Sequence, residues 1–483
     1  MRKVFRLVGL AVATSCGGRT GLLADVVATD GGEPAPVPRC TAALLSGAPT
    51  PTRGYCPTRA NQATLPGPRS PQIAWSAKPF PVDDPEQYLP PEVVVDPAGR
   101  AYVAIAPSPA NGGGASHLNA LDPDGSIAWT ASFASPVTDL SLGADGTLWF
   151  LEEVISAACT KPATEGGCNG SVNTEASGGV VHGLSSSGAA VATLAVAIPQ
   201  DEGPHGPSPL DYGIDITRYD SLALGSDGSF FLGATWDVGA SQSLFARLSP
   251  TSASLLSACP RSPFGPNLES FLGPLLLAPD DTVVVDSDHG LSAFDADCNR
   301  RWSADASDVV AIDAQGNTVE LVQSPGDGSI ELVSLGPAGT VTRVVPFDLT
   351  DVALEDSKLA LAAGGTDVVL LVEPSVAATV TTAHLTVAAI EPSGGTRWST
   401  GLDASLAYDP AAGGAAFGLF VDAAGTVVVT AGALWGLDGT LGLVRWTLQP
   451  PEPHVCLRPA VLGAGGSVLA TQCDGTVFLA RDP

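Results

Sequence analysis

Asn119-Ala-Leu-Asp-Pro-Asp-Gly-Ser-Ile-Ala-Trp129 returns as Ser292-Ala-Phe-Asp-Ala-Asp-Cys-Asn-Arg-Arg-Trp302 and again as Ala388-Ala-Ile-Glu-Pro-Ser-Gly-Gly-Thr-Arg-Trp398. In each copy an apolar residue (Leu121, Phe294, Ile390) stands eight places before the tryptophan, with a turn signal between them. Such a fixed offset predicts one hairpin used repeatedly. Weaker copies carry Leu184, Leu248 and Leu335 at the apolar place and Ala192, Leu256 and Arg343 at the tryptophan place, and a copy from Leu437 to Trp446 is one residue longer.

Upstream of each hairpin lies a second turn between apolar strands. Asp96-Pro-Ala-Gly99, Asp145-Gly146, Asp227-Gly228 and Asp280-Asp281 are four examples, and Gly316, Gly364-Gly365, Gly425 and Gly466 continue the series. Each precedes a β-branched or aromatic run such as Thr-Val-Val-Val285. The unit is therefore four short strands, recurring about eight times at intervals of roughly 35 to 80 residues, the range of propeller blades. A seven-bladed ring is the alternative. The last unit ends at Asp482-Pro483 before its tryptophan strand, and Gln72-Ile-Ala-Trp75 supplies that strand from the other end. Pairing it with the segment from Thr476 to Ala480 would remove the open sheet edge of a linear array. The fold class is thus all-β, a single β-propeller closed by strand 72–75.

Composition agrees. Gly 55 and Pro 41 suit many tight turns, and 45% hydrophobic residues supply a large core. A formal charge of -28 repels phosphate backbones, so nucleic acid is excluded as a partner.

The first residues, Met-Arg-Lys-Val-Phe-Arg followed by Leu7 to Ala13, have the basic start and short apolar run of an export signal. Ala13-Thr14-Ser15-Cys16-Gly17 is similar to a bacterial lipoprotein box, with Ala13 where a leucine is usual. Acylation of Cys16 is one outcome, cleavage at a neighbouring small residue the other; an acyl chain would be the one membrane contact. Residues 1–16 are read as signal, 17–71 as a Pro/Gly/Ala-rich tether, and 72–483 as the propeller, with insertions at 152–181 and 200–219. Localisation follows as the cell envelope, either as an outer-membrane lipoprotein or secreted.

Nine cysteines less Cys16 leave an even number, as disulfides in an oxidising compartment require. Spacing suggests Cys40 with Cys56 and Cys159 with Cys168, and the repeat suggests Cys456 with Cys473. Cys259 and Cys298 remain, nominally on opposite faces of the ring, and their pairing stays open. No CxxC pair occurs, so no zinc site is expected.

The Asp-Gly-Trp hairpin, as in Asp122-Pro-Asp-Gly-Ser-Ile-Ala-Trp129, resembles the repeat of the quinoprotein (PQQ-like) β-propeller superfamily, over residues 73 to 483. That resemblance implies a propeller, and either a quinone-dependent dehydrogenase or a non-catalytic envelope lipoprotein scaffold. Dehydrogenases of the superfamily use a calcium-type ion, an aspartate base and a disulfide between adjacent cysteines. Adjacent cysteines and a CxxCH haem motif are absent here, so the expectation is a non-enzymatic, monomeric scaffold with no cofactor, binding a protein or polysaccharide. The six histidines fall in different units and read as loop or strand-end residues. The two insertions would emerge on one face, which makes His205, Asp211, Tyr212 and Asp215 candidates for partner binding.

Overall fold

In the computed structural model the chain divides into two units, Met1–Ala35 and Pro36–Pro483. The structure describes residues 44, 46, 48, 50, 52, 61–80, 91–106, 115–159, 172–196, 216–237, 241–252, 255–259, 275–287, 290–297, 299–304, 309–323, 329–347, 349, 352–362, 365–377, 380–406, 417–453 and 455–483, all in the second unit.

These residues form eight four-stranded antiparallel sheets, with no α-helix among them. Blades 1 to 7 span 92–133, 137–196, 216–259, 276–304, 309–347, 358–406 and 418–448. Within each, the strands lie side by side in chain order. Blade 8 takes three strands from 461–481, and its fourth is Gln72–Ala77, paired with Val477–Arg481 from Gln72↔Arg481 to Ala77↔Val477. Eight blades, and not seven, close the ring.

Closure is also visible in the core. Buried clusters fill the seam between every consecutive pair of blades. Tyr102, Leu140 and Phe150 lie between blades 1 and 2, Leu151 and Phe230 between 2 and 3, and Phe231 and Phe294 between 3 and 4. Val284 and Ile312 follow, then Leu332 and Ile390, Leu370 and Val427, and Phe420 and Phe478. Val103, Leu121 and Leu479 join blade 8 back to blade 1. Strand alternation explains the arrangement: successive side chains of one strand serve the two flanking seams, so inner strands such as Ala101–Ile105 are buried on both sides, while fourth strands such as Ile127–Phe133 alternate exposed and half-buried residues.

The turn chemistry accounts for the repeat. In the turn between first and second strands, an aspartate carboxylate holds the residue two places on: Asp145 accepts from Thr147 N–H and Oγ1–H at 2.9 Å each, and Asp227 and Asp280 accept from Ser229 and Thr282 in the same way. Arg247 and Arg301 reach back to Asp227 and Asp280, and Arg445 reaches Asp438. Partial burial pushes these three carboxyls up, but the hydrogen bonds and facing guanidinium groups outweigh it and hold each below its ordinary value.

The tryptophans lock blade to blade. Trp75, Trp129, Trp302 and Trp398 lie on fourth strands and pack on the turn between the third and fourth strands of the next blade, and three of them donate Nε1–H to that turn's second carbonyl. Trp75 reaches Pro123 O at 2.9 Å, Trp129 reaches Ser186 O at 2.9 Å and Trp398 reaches Gly439 O at 2.8 Å. The turn glycine is obligatory on two counts: Gly188 has φ +80, and a Cβ there would meet Trp129 Cδ2 at 2.8 Å. Where Arg343 replaces tryptophan, its Nη1 donates to Glu391 O at 3.0 Å in the turn of blade 6. Leu256 makes no such lock, and the seam between blades 3 and 4 is instead tied by Ser226, whose N–H donates to Asp281 at 2.8 Å.

One expectation is corrected. Residues 17–71 are not a free tether throughout, because Leu44, Thr50, Thr52 and Gln62 form bridges to Gly143, Val95, Ser141 and Val421. Thr50 and Ala63 are fully buried. The segment bears no apolar period because these contacts run through its backbone.

Candidate partner-binding face

The two faces of the ring differ. Turns between strands 1 and 2 and between strands 3 and 4 share one side, the turn face. Connections between strands 2 and 3, and from blade to blade, share the other, the connection face. First strands of neighbouring blades approach one another, so they line the axis.

On the turn face the chain closes over its own centre. Thr50 Oγ1–H donates to Leu462 O at 2.7 Å in blade 8, and Val95 N–H of blade 1 donates to Thr50 O at 2.8 Å. Asn61 Nδ2–H donates to Leu359 O of blade 6 at 2.8 Å. Val421 N–H and Ala63 N–H exchange bonds between blade 7 and residues 61–63 at 3.0 and 2.8 Å. The ends of first strands in blades 1, 2, 6, 7 and 8 are thereby engaged. The chain then runs outward to the gap in blade 8, where Pro68 O accepts from Trp446 Nε1–H at 3.0 Å. Pro68 thus stands where a blade with an unbroken chain places the second residue of its turn. Asp482 completes the substitute by accepting from Arg69 N–H and Ser70 N–H at 3.0 and 2.6 Å.

The connection face carries two arms. Blade 2 extends its second and third strands, Leu148–Cys159 and Val172–Leu184, out to Cys159↔Val172, with one register shift between Val154 and Ile155. Blade 6 does the same with Asp367–Ala377, Val380–Ile390 and Thr396–Leu406. Their second strands hold 12 and 11 residues against 5 in Ala101–Ile105 of blade 1. At about 3.3 Å per residue, each arm stands on the order of 20 Å above the hairpin of blade 1 and about 10 Å above that of blade 3, whose second strand Phe230–Asp237 holds 8 residues. Blades 2 and 6 are four apart in either direction around the ring, so the arms rise from opposite sides of one face. The insertion expected at 152–181 is therefore largely strand and not loop, and residues 216–219 of the expected 200–219 insertion belong to the first strand of blade 3, Ile216–Leu224.

At the root of the blade 2 arm, His182 Nε2 and Glu152 Oε2 are 2.8 Å apart, with side chains 13% and 12% exposed. Phe150 stacks on the imidazole and Phe133 packs against it, with centroids 5.2 Å away in both cases. The other Glu152 oxygen accepts from Ser135 N–H at 3.2 Å. This pair pins blade 2 to the end of blade 1. On the blade 6 arm, His384 Nδ1 faces Asp403 Oδ1 at 2.9 Å across an exposed strand pair. His117 sits next to the start of its strand, Ser116–Leu121, in keeping with the expectation of loop or strand-end positions, whereas His182 and His384 sit inside extended strands. The arms extend the ladder past the point where the repeat predicts a turn. Alternation of Phe150 with Glu152 is the signal that could have placed the Glu152–His182 pair.

Cys456 and Cys473 form a disulfide with Cα atoms 5.4 Å apart. Cys159 ends the second strand of blade 2, and Cys259 ends the fourth strand of blade 3. Cys16, Cys40, Cys56, Cys168 and Cys298, with His205, Asp211, Tyr212 and Asp215, lie outside the described residues. The connection holding the last four leaves blade 2 at Val196 and re-enters at Ile216, both on the connection face. Among the described residues no three His, Cys, Asp or Glu side chains are grouped to share a metal ion. No helix of the described residues is long and apolar enough to cross a membrane.

No protein-family model and no curated protein matches the chain. Among solved structures it is similar to a quinohemoprotein alcohol dehydrogenase from Pseudomonas putida HK5, at 10% identity and a TM-score of 0.52, over 90% of this chain and 80% of that one. A looser likeness, at 13% identity and a TM-score of 0.43, relates 85% of the chain to the whole of BamB from Moraxella catarrhalis. At such identities the first likeness speaks to architecture alone, and with the eight sheets and their closed seams it identifies the chain as a β-propeller of the fold in which that quinoprotein is also built.

Proposed function

We propose that the chain is an exported, non-catalytic scaffold of the bacterial cell envelope, acylated at Cys16 and monomeric, which binds a protein or polysaccharide partner on its connection face. The observation that carries this reading is the pair of arms on blades 2 and 6, opposite one another and on one side of the ring. A cradle of that kind offers two separated contact edges to one large partner. The turn face, by contrast, is finished with short turns and with Leu44, Thr50, Thr52 and residues 61–70. The connection bearing His205, Asp211, Tyr212 and Asp215 starts and ends on the same face as the arms, and these four residues are part of the proposed binding surface. A net charge of -28 favours a neutral or basic partner.

The test shortens each arm without touching a seam. Asn-Gly replaces residues 155–177 in one variant and 375–382 in another, which leaves the pairs Val154↔Gly178 and Pro374↔Ala383 to flank the new turns and preserves hairpin turn chemistry. Both variants and the full chain are used to capture partners from envelope extract, before and after protease or periodate treatment of the extract. Loss of one defined partner by at least tenfold in either variant supports the reading, and the treatment that abolishes capture tells protein from polysaccharide. Undiminished capture by both variants would overturn it.

A further inference from the structure

Arg458 differs from six other arginines of the described residues. Arg100, Arg247, Arg301, Arg343, Arg397 and Arg445 each face a carboxylate. Arg458 is 3% exposed, its Nε is buried without a hydrogen-bond partner, and no carboxylate of the described residues pairs with it. The chain has 50 acidic residues for 22 basic ones, so the lack of a partner here does not reflect a shortage of carboxylates.

Its position is defined by the backbone. Leu457 bridges Gln472, and Arg458 N–H donates to Thr471 O at 2.8 Å, which continues the inner strand pair of blade 8 toward the connection face. Leu457 and Ala470 belong to the seam with blade 7. Alternation therefore turns Arg458 and Thr471 to the opposite side, the seam with blade 1, where Leu469 and Val103 already lie. The Thr471 hydroxyl is likewise buried without a partner, at 1% exposure. Two cross-strand neighbours that face the same seam thus each carry a buried donor, the Arg458 Nε–H and the Thr471 hydroxyl, with no hydrogen-bond partner among the described residues. Burial holds the guanidinium below its ordinary pKa, though no change within the working pH range would discharge it. A buried cation left uncompensated is strongly unfavourable, and a guanidinium fork matches the oxygen spacing of a carboxylate or phosphate.

We infer that Arg458, with the Thr471 hydroxyl, holds a small oxyanion of the carboxylate or phosphate class in the seam between blades 8 and 1, entered from the connection face. The site lies within the blade that joins both ends of the propeller, so its ligand would tighten ring closure. This inference does not depend on the partner-binding role proposed above.

The experiment uses the full chain, dialysed into chloride, with inorganic phosphate or formate added at constant ionic strength. Equilibrium dialysis of labelled phosphate and of labelled formate should find one anion per chain for at least one of them, and the preferred probe identifies the class. Above its Kd, each tenfold rise in that anion should raise the folded-to-unfolded ratio tenfold beyond any response of Arg458→Met. Thr471→Val should weaken binding while Arg458→Lys retains part of it. General salting effects act on wild type and Arg458→Met alike. Equal responses in the two proteins, or no stoichiometric binding of either probe to wild type, would overturn the inference; the dialysis result stands even if Arg458→Met does not fold.

Discussion

Replacing Trp446 by phenylalanine and by alanine separates two contributions to the seam between blades 7 and 8. The indole is 9% exposed and lies in the cluster with Phe420 and Phe478. A buried tryptophan covers roughly 150 to 250 Å², which at about 25 cal/mol per Å² corresponds to about 4 to 6 kcal/mol as an upper bound. Large-to-alanine changes in cores cost about 3 to 5 kcal/mol, and the lower half of the area estimate agrees with that. Trp446→Ala should therefore lose about 4 kcal/mol. Trp446→Phe keeps most of the apolar contact and removes the bond to Pro68 O, so its loss should be about 1 kcal/mol. The informative comparison is with Trp398→Phe, which removes the equivalent bond to Gly439 O in an unbroken turn. If residues 66–70 truly replace the missing turn of blade 8, the two phenylalanine variants lose equal stability within about 0.5 kcal/mol. Urea unfolding followed by circular dichroism measures all three, with slopes compared to confirm a common unfolded state. A Trp446→Phe variant as stable as wild type, beside a weakened Trp398→Phe, would refute the substitution.

Asp482→Ala removes the acceptor of Arg69 and Ser70 N–H and should lower stability by about 1 kcal/mol while speeding amide exchange at those two residues, which hydrogen exchange reads directly. Cys473→Ser opens a disulfide joining residues 17 apart and should cost about 3 kcal/mol in a thermal melt, with no change under prior reduction. Asp227, Asp280 and Asp438 are held below their ordinary pKa in the folded chain. Their contribution is therefore complete above about pH 4 and fades as pH falls through the depressed values. Melting temperature should drop steeply only in that acid range, and Asp438→Asn should make the drop shallower.

The repeat was legible because each turn needs its own residues. Asp145 must hold Thr147, and Gly188 must admit Trp129, so spacing alone locates hairpins and even the strand that closes blade 8. Arg343 was visible as a departure, but its use as a lock on blade 6 depends on a carbonyl 48 residues away. The bonds of Thr50 and residues 61–63 escaped notice because backbone groups make most of them, and those leave no side-chain period. The reach of the arms escaped because no residue marks the point where a strand leaves the ring. His182 was read as a loop or strand-end residue for the same reason: it meets Glu152 because the ladder continues past the usual turn.

Blade 8 also sets a timetable. Gln72–Ala77 is synthesised early yet finds its hydrogen-bonding neighbour only when Val477–Arg481 exists. Until then its backbone groups bond to water, and a chain cut short at any point in between keeps a sticky border. A newly made copy is thus finished in one late event, and a prematurely terminated one is marked for removal by what it still exposes.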